Sequence, residues 1–154
     1  MVKSSYFEIL EINKEADMSE LQAICRQMQP NKWGNDNEMT SYQPDMLRAF
    51  LDANGLLLMA RDGQKIAGTA LCYIMPHPAG EDSLYVHELD THPVYRRQGV
   101  ATQLMNELKK IAKQKNLMEV WVGTEQSNKP ADAFYKSLNP SEIEPSFIYA
   151  YKVK

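Results

Sequence analysis

Cysteine is scarce: two in 154 residues, Cys25 and Cys72, far apart and without a metal-binding spacing. That excludes a disulfide framework. Two free, core-filling thiols are expected, with a single disulfide as the lesser alternative. Histidine is nearly as rare. His77, His87 and His92 form no HExxH pattern and have no partnering cysteine, so no metal is expected. A basic excess is also missing. Lys and Arg number 17 against 20 Asp and Glu, for a net charge of −3, which offers no general attraction to nucleic acid or an anionic membrane. No apolar run reaches membrane-spanning length, and no secretory segment opens the chain, so a cytoplasmic protein is expected.

What is present is a hydrophobic fraction of 44%, enough at this length for one core, and a single domain over residues 1–154 is expected. Tyr6 to Ile12 reads as a strand. Asp17 to Gln27 reads as a helix, with Asp17 or Ser19 as its cap and Leu21, Ile24, Cys25 and Met28 on its apolar face. Pro30 to Gln43 is polar, irregular and long for a plain connector. Pro44 suits the first turn of a second helix. Leu56 to Pro76 reads as a hairpin around Asp62-Gly63. Ser83 to Pro93 is a strand, followed by a helix to about Gln114. Met118 to Gly123 is a short strand, Pro130 begins a short helix, and Ser146 to Val153 alternates like an antiparallel strand. The order β-α-α-β-β-β-α-β-α-β predicts an α/β fold of the mixed α+β kind, with helices packed on one mixed sheet.

The segment RRQGVA, Arg96 to Ala101, opens the longest apolar helix stripe: Val100, Leu104, Met105, Leu108, Ile111 and Ala112. The first turn of a helix carries N–H groups with no intrahelical partner, at the positive end of the helix dipole. Gly99 has no Cβ to keep an anion away, Arg96 and Arg97 are charged donors, and Thr102 adds a hydroxyl. The segment is neither a Walker pattern nor a dinucleotide fingerprint. The residues alone reach an anion at a helix start. They equally suit a tight turn with solvated arginines.

Arg96-Arg97-Gln98-Gly99-Val100-Ala101 resembles the arginine-or-glutamine, x, x, glycine, x, glycine-or-alanine signature of the Gcn5-related N-acetyltransferases (GNAT). YVHELDTHPVYRRQGVATQLM resembles their fourth strand, turn and long helix. MEVWVGTEQSNKPADAFYKSL resembles the strand, asparagine-bearing loop and short helix that follow. The motifs span about residues 84–138, and ELDTHPVYRRQGVAT with DAFYKSL is most similar to the aminoglycoside 3-N-acetyltransferase branch. The resemblance implies a central mixed, mostly antiparallel sheet flanked by helices, and acetyl-coenzyme A as cosubstrate. It implies that the N–H groups of Gln98, Gly99, Val100 and Ala101 hold the pyrophosphate, with Arg96 or Arg97 and Thr102 alongside. It further implies that Leu89, Asp90 and Thr91 pair with the pantetheine arm where the strand separates from its neighbour, and that Asn128 bonds the pantetheine or a water. It also allows a homodimer.

Attack of an amine on a thioester needs a neutral amine, a polarised carbonyl, a protonated leaving thiolate and alignment. Glu88 and Asp90, two apart in a strand, share a face and are the candidate bases or amine-binding groups. Strand alternation sets His87 opposite them, as a packing or surface residue. His92 is a weaker candidate proton shuttle. By resemblance, Tyr135 is the general acid toward the sulfur. A cationic acceptor would draw further carboxylates from Asp36, Glu38 and Asp45, and more weakly from Glu81 and Asp82, while Trp33, Tyr42 and Tyr6 would pack on sugar faces. The expected activity is acetyl transfer to a primary amine of a small cationic acceptor, an aminoglycoside first. The alternatives are a peptide, protein or polyamine amine, and a coenzyme A-binding regulatory protein without turnover. Asn139-Pro140, where the family often has glycine, and the tail from Ser141 to Val153 depart from the pattern.

Overall fold

The computed structural model describes residues 6–29, 33 and 41–154. They fall into two compact units, Met1–Gly123 and Thr124–Lys154. In the first, the elements are β1 (Glu8–Ile12), α1 (Met18–Gln27), α2 (Pro44–Asp52), β2 (Gly55–Asp62), β3 (Lys65–Met75), β4 (Ser83–Thr91), a 3₁₀ turn (Pro93–Tyr95), α3 (Val100–Gln114) and β5 (Glu119–Val122). The second holds α4 (Lys129–Ser137).

The helix starts follow their capping residues. Asp17 caps α1, its carboxylate accepting from the Glu20 N–H at 2.8 Å. Pro44 opens α2 in the first turn, where its missing N–H costs nothing. Gly63 sits at φ +58° in the turn joining β2 to β3, which is the conformation that Asp-Gly turns need.

The sheet runs β1-β2-β3-β4-β5, with every pair antiparallel except β4 and β5, which are parallel. One face carries α1 and α2 over Ile12, Leu57, Met59 and Ile66, closed by Leu21, Ile24, Cys25, Met28, Leu47 and Leu51. Gln27 ties α1 to the β2–β3 turn: its side chain accepts from Ile66 N–H at 3.0 Å and donates to Gln64 O at 2.9 Å. On the other face lies α3, whose Val100, Leu104, Leu108 and Ile111 are buried. Both cysteines are buried free thiols. Burial pushes the Cys72 thiol up to about 12 and raises that of Cys25 as well.

Two bulges adjust the sheet. One places Ala67 as an extra residue on β3, between the pairs Ala60–Gly68 and Arg61–Ile66. The other places His87 as an extra residue on β4, between Cys72–Val86 and Leu71–Glu88. A bulge shifts the alternation by one residue, so side chains beyond it change face. Residues 140–154 form no strand, so the expected strand from Ser146 to Val153 is corrected. Its alternation is real, but a strand exists only where a neighbouring edge supplies hydrogen bonds.

Gly68 carries no distinguishing signal in the sequence, yet it seats α3. A Cβ there would press on Val100 Cγ1 and come within 2.8 Å of the Asp90 carbonyl oxygen. Gly68→Ala is therefore expected to destabilise the protein by about 2 kcal/mol. Gly123→Ala, with nothing within 4 Å of the added Cβ, should stay within about 0.5 kcal/mol of the parent. Denaturant unfolding of both variants checks this, and equal losses would contradict it.

Candidate active site

The bulge at His87 decides what faces what. Before it, Tyr85 lies opposite Tyr73, whose ring packs edge-on to Phe50 of α2 at 5.0 Å. After it, Glu88 lies opposite Leu71 and Asp90 opposite Thr69. Leu71 packs against the α1–α2 core, so Glu88 and Asp90 sit together on that face. Leu84 and Val86 are buried on the other side. His87 itself is exposed and makes edge contacts to Tyr73 and Tyr85 at 5.8 and 5.7 Å. It thus shares the carboxylate face. The expectation that it lies opposite Glu88 fails because the bulge interrupts strict alternation.

The pairing of β4 changes at the same place. Its last partner on β5 is Val122, opposite Val86. From His87 to Thr91, β4 is paired with β3 alone among the described strands. The backbone of Leu89, Asp90 and Thr91 therefore has one ladder edge without a strand, the arrangement an extended amide ligand needs.

Tyr42 closes the carboxylate face. Its hydroxyl donates to Glu88 Oε2 at 3.4 Å, and its N–H bonds to Met28 O at 3.3 Å. Burial, then the charges of Glu88 and Asp90, push its phenol far above the ordinary value, so it stays a neutral donor. Burial, then Glu88, raises the Asp90 carboxyl to about 6. The site thus holds two carboxylates, one of which titrates near neutrality, beside a fixed phenol. Such a group can exchange a proton with an amine near physiological pH.

Two aromatic expectations change. Trp33 is buried in the α1–α2 core and donates from Nε1 to Gln27 O at 3.1 Å, so it is not a sugar-packing surface. Its ring lies 5.3 Å from that of His92. Tyr42 binds Glu88 instead of presenting an open ring face, while Tyr6 is exposed. A lone Trp in a polar stretch carries no periodic signal of burial, so sequence pattern missed it. Asp36 and Glu38 lie outside the described residues. Asp45 and Glu81 are exposed, and Asp82 accepts from His77 N–H at 2.7 Å, fixing its turn.

Directly after the carboxylates the chain turns through His92 and the 3₁₀ residues into α3. His92 Nδ1 accepts from Val94 N–H at 3.3 Å, and Tyr95 donates to Asp62 Oδ2 at 3.0 Å, pinning the turn to β2. Arg97 and Gly99 hold left-handed φ values of +60° and +84°. At Gly99 an added Cβ would meet only Gln103 Nε2 at 3.8 Å. Glycine is needed there first for its dihedral and not for local crowding. No side chain caps the start of α3, in contrast to α1. The first-turn N–H groups of Val100, Ala101 and Thr102 thus keep their capacity for an anion. Arg96, Arg97 and Gln98 are exposed beside them. This donor set fits a pyrophosphate.

In the second unit, Asn128 caps α4, its side-chain oxygen accepting from Ala131 N–H at 3.2 Å. Tyr135 is half-buried on α4, with its ring 5.1 Å from Phe134. Glu88, Asp90 and the α3 turn are brought together in the first unit; Asn128 and Tyr135 are brought together in the second.

The family model described as acetyltransferase (GNAT) family matches residues 17–139. The chain belongs to the acetyltransferase (GNAT) family. An uncharacterized N-acetyltransferase of Methanocaldococcus jannaschii is 30% identical over 96 residues, covering 60% of this chain and 42% of that protein. The chain thus spans less than half the length of that relative. Among solved structures, the aminoglycoside acetyltransferase meta-AAC0020, from an uncultured soil metagenomic sample and in complex with sisomicin, superposes with a TM-score of 0.81 at 18% identity, over 97% of each chain. A ribosomal-protein-alanine N-acetyltransferase from Brucella melitensis biovar Abortus 2308 superposes with a TM-score of 0.71 at 14% identity, over 96% of this chain and 100% of that one. These likenesses establish the fold, a mixed sheet flanked by helices. Because the two names speak of different acceptors, the fold does not choose between them.

The raised Asp90 carboxyl gives a signed pH prediction. Its value of about 6 lies above the ordinary 3.8, so the fold disfavours the charged form. That costs nothing below the ordinary value and accrues as pH rises through 6. Asp90→Asn should therefore be as stable as the parent at pH 3.5 and gain on the order of 2 kcal/mol over it by pH 7. Unfolding midpoints across that range check it, and a difference independent of pH would contradict it.

Proposed function

We propose that this protein is an acetyl-coenzyme A-dependent N-acetyltransferase acting on a primary amine of a small cationic acceptor, with an aminoglycoside, acetylated at its 3-amino group, as the first candidate. The observation that carries this reading is the half-buried Glu88–Asp90 pair, set on the part of β4 without a β5 partner and immediately before the uncapped start of α3. The sisomicin complex of the structural neighbour and the resemblance of residues 84–138 support the choice of acceptor.

Acetyl-coenzyme A would supply the activated acyl group. The N–H groups of Gln98 to Ala101, with Arg96, Arg97 and the Thr102 hydroxyl, would hold its pyrophosphate. The backbone of Leu89, Asp90 and Thr91 would align its amide arm as an added strand. The carboxylates of Glu88 and Asp90 bind the ammonium form of the acceptor, and the Asp90 group takes up the proton that makes it nucleophilic. Tyr42 holds Glu88 as a positioning residue. By the resemblance, Tyr135 would donate a proton to the leaving thiolate, and Asn128 steadies the start of its helix. The free buried thiols suit a reducing compartment, and we place the protein in the cytoplasm.

Release of free thiol from acetyl-coenzyme A, followed across a panel of aminoglycosides, polyamines and peptides, tests the reading. At least one aminoglycoside is expected to turn over. Glu88→Gln and Asp90→Asn should each lower kcat/KM by about 100-fold or more. Tyr135→Phe should lower kcat with little change in KM. Gly99→Val should weaken coenzyme binding before acceptor binding. Faster turnover of a peptide amine than of every small amine would reject the acceptor, and tight coenzyme binding without any turnover would reject the activity.

A further inference from the structure

A row of rings crosses the sheet on the carboxylate face. Phe50 of α2 meets Tyr73 of β3 at 5.0 Å, and Tyr73 meets His87 of β4 at 5.8 Å. His87 meets Tyr85 at 5.7 Å, and Tyr85 stacks on Trp121 of β5 at 4.3 Å. Each ring is braced by another, so Tyr73 and Tyr85 are held in place before anything binds. Both line an open groove of about 410 Å³, together with Met75, Ala53 and Asn54. Every residue that lines it belongs to the first unit. The acetyl-transfer chemistry itself makes no use of these rings.

Position and charge say what fits. Tyr73 follows Leu71 by two residues on β3, and Leu71 lies opposite Glu88. Tyr73 therefore leaves the sheet about 7 Å further along than Glu88, roughly the span of one sugar ring. Ala53 and Asn54 directly follow α2, so the carbonyl end of that helix, the negative pole of its dipole, meets the groove. No basic residue occupies the last turn of α2, and no Lys or Arg lines the groove among the described residues. The carboxylate of Asp52, at the end of α2, lies 3.9 Å from Arg48, so the dipole and the rings carry most of the attraction for a cation. Tyrosine faces attract ammonium groups and pack against the C–H faces of sugars.

We infer that this groove holds a second ring of the acceptor, an aminosugar whose ammonium rests on Tyr73 and Tyr85 while the reacting amine sits at Glu88 and Asp90. This rests on the proposed transfer to a polycationic acceptor, and it adds the subsite that selects for a further ring. The sugar-packing role expected of Trp33 and Tyr42 thereby falls to Tyr73 and Tyr85.

Sisomicin and its single-ring core, 2-deoxystreptamine, separate the two sites. Tyr85→Leu and Tyr73→Leu keep an apolar side chain and remove the ring face. Each is expected to raise the KM for sisomicin about tenfold, well beyond any change in kcat or in the KM for acetyl-coenzyme A. The KM for 2-deoxystreptamine, which does not reach the groove, should not follow. Tyr85→Phe and Tyr73→Phe retain the ring and should recover most of the loss. Calorimetry should show the same tenfold weakening of sisomicin binding without any need for turnover. In the parent protein, intermolecular nuclear Overhauser effects should join sisomicin to the ring protons of Tyr73 and Tyr85, a measurement that stands even where a Leu variant does not fold. Sisomicin bound with these effects but never acetylated would reject the transfer reaction and uphold the groove. Acetylation of sisomicin with a KM indifferent to both Leu variants overturns the groove and leaves the reaction intact. An equal loss for the single-ring core, sisomicin bound away from the two rings, or no sisomicin binding at all overturns it too.

Discussion

The rest of the site depends on one close approach. At Gly68 the sheet has no side chain, and Val100 of α3 settles against β3 at that point, beside the Asp90 carbonyl of β4. The helix start and the carboxylate strand are thereby held at fixed spacing. The left-handed turn at Gly99 then brings the chain into α3 with its first N–H groups uncapped. An anion site needs this rigidity, because preorganised donors bind without the cost of ordering them first. Tyr95, bonded to Asp62, anchors the intervening turn to the other side of β3.

The second constraint is the bulge at His87. A regular β4 would alternate without interruption, setting Glu88 and Asp90 on the face of Leu84 and Val86, under α3. The extra residue moves them to the α1–α2 face, where Tyr42 donates to Glu88. Burial on that face raises the Asp90 carboxyl, which is what suits it to proton exchange with an amine. The same region is where β5 ceases to pair with β4, so the polar pair and the open ladder edge arise from one stretch of strand.

Much of this was legible in the residues. Asp17, Pro44 and Asp62-Gly63 mark element ends through local chemistry that needs no tertiary partner. Apolar spacing in Val100 to Ala112 predicts a helix packed on a sheet, and it is one. Other features were hidden because they are relations between distant segments. Trp33 stands in a polar stretch of sequence but lies in the core, Tyr42 donates a hydrogen bond to Glu88, and Gly68 has meaning only once Val100 stands over it. The tail showed the opposite error. Its alternation announced a strand, but alternation records only a capacity to pair.

The amino-acid sequence by itself determined the order of elements from β1 to α4, their caps and turns, and the motif of Arg96 to Ala101, because these rest on contacts within a few residues. Tertiary structure decided which face the carboxylates occupy, how burial tunes Asp90, and where β4 parts from β5. Those depend on register, bulges and desolvation, which exist only when strands distant in sequence lie side by side.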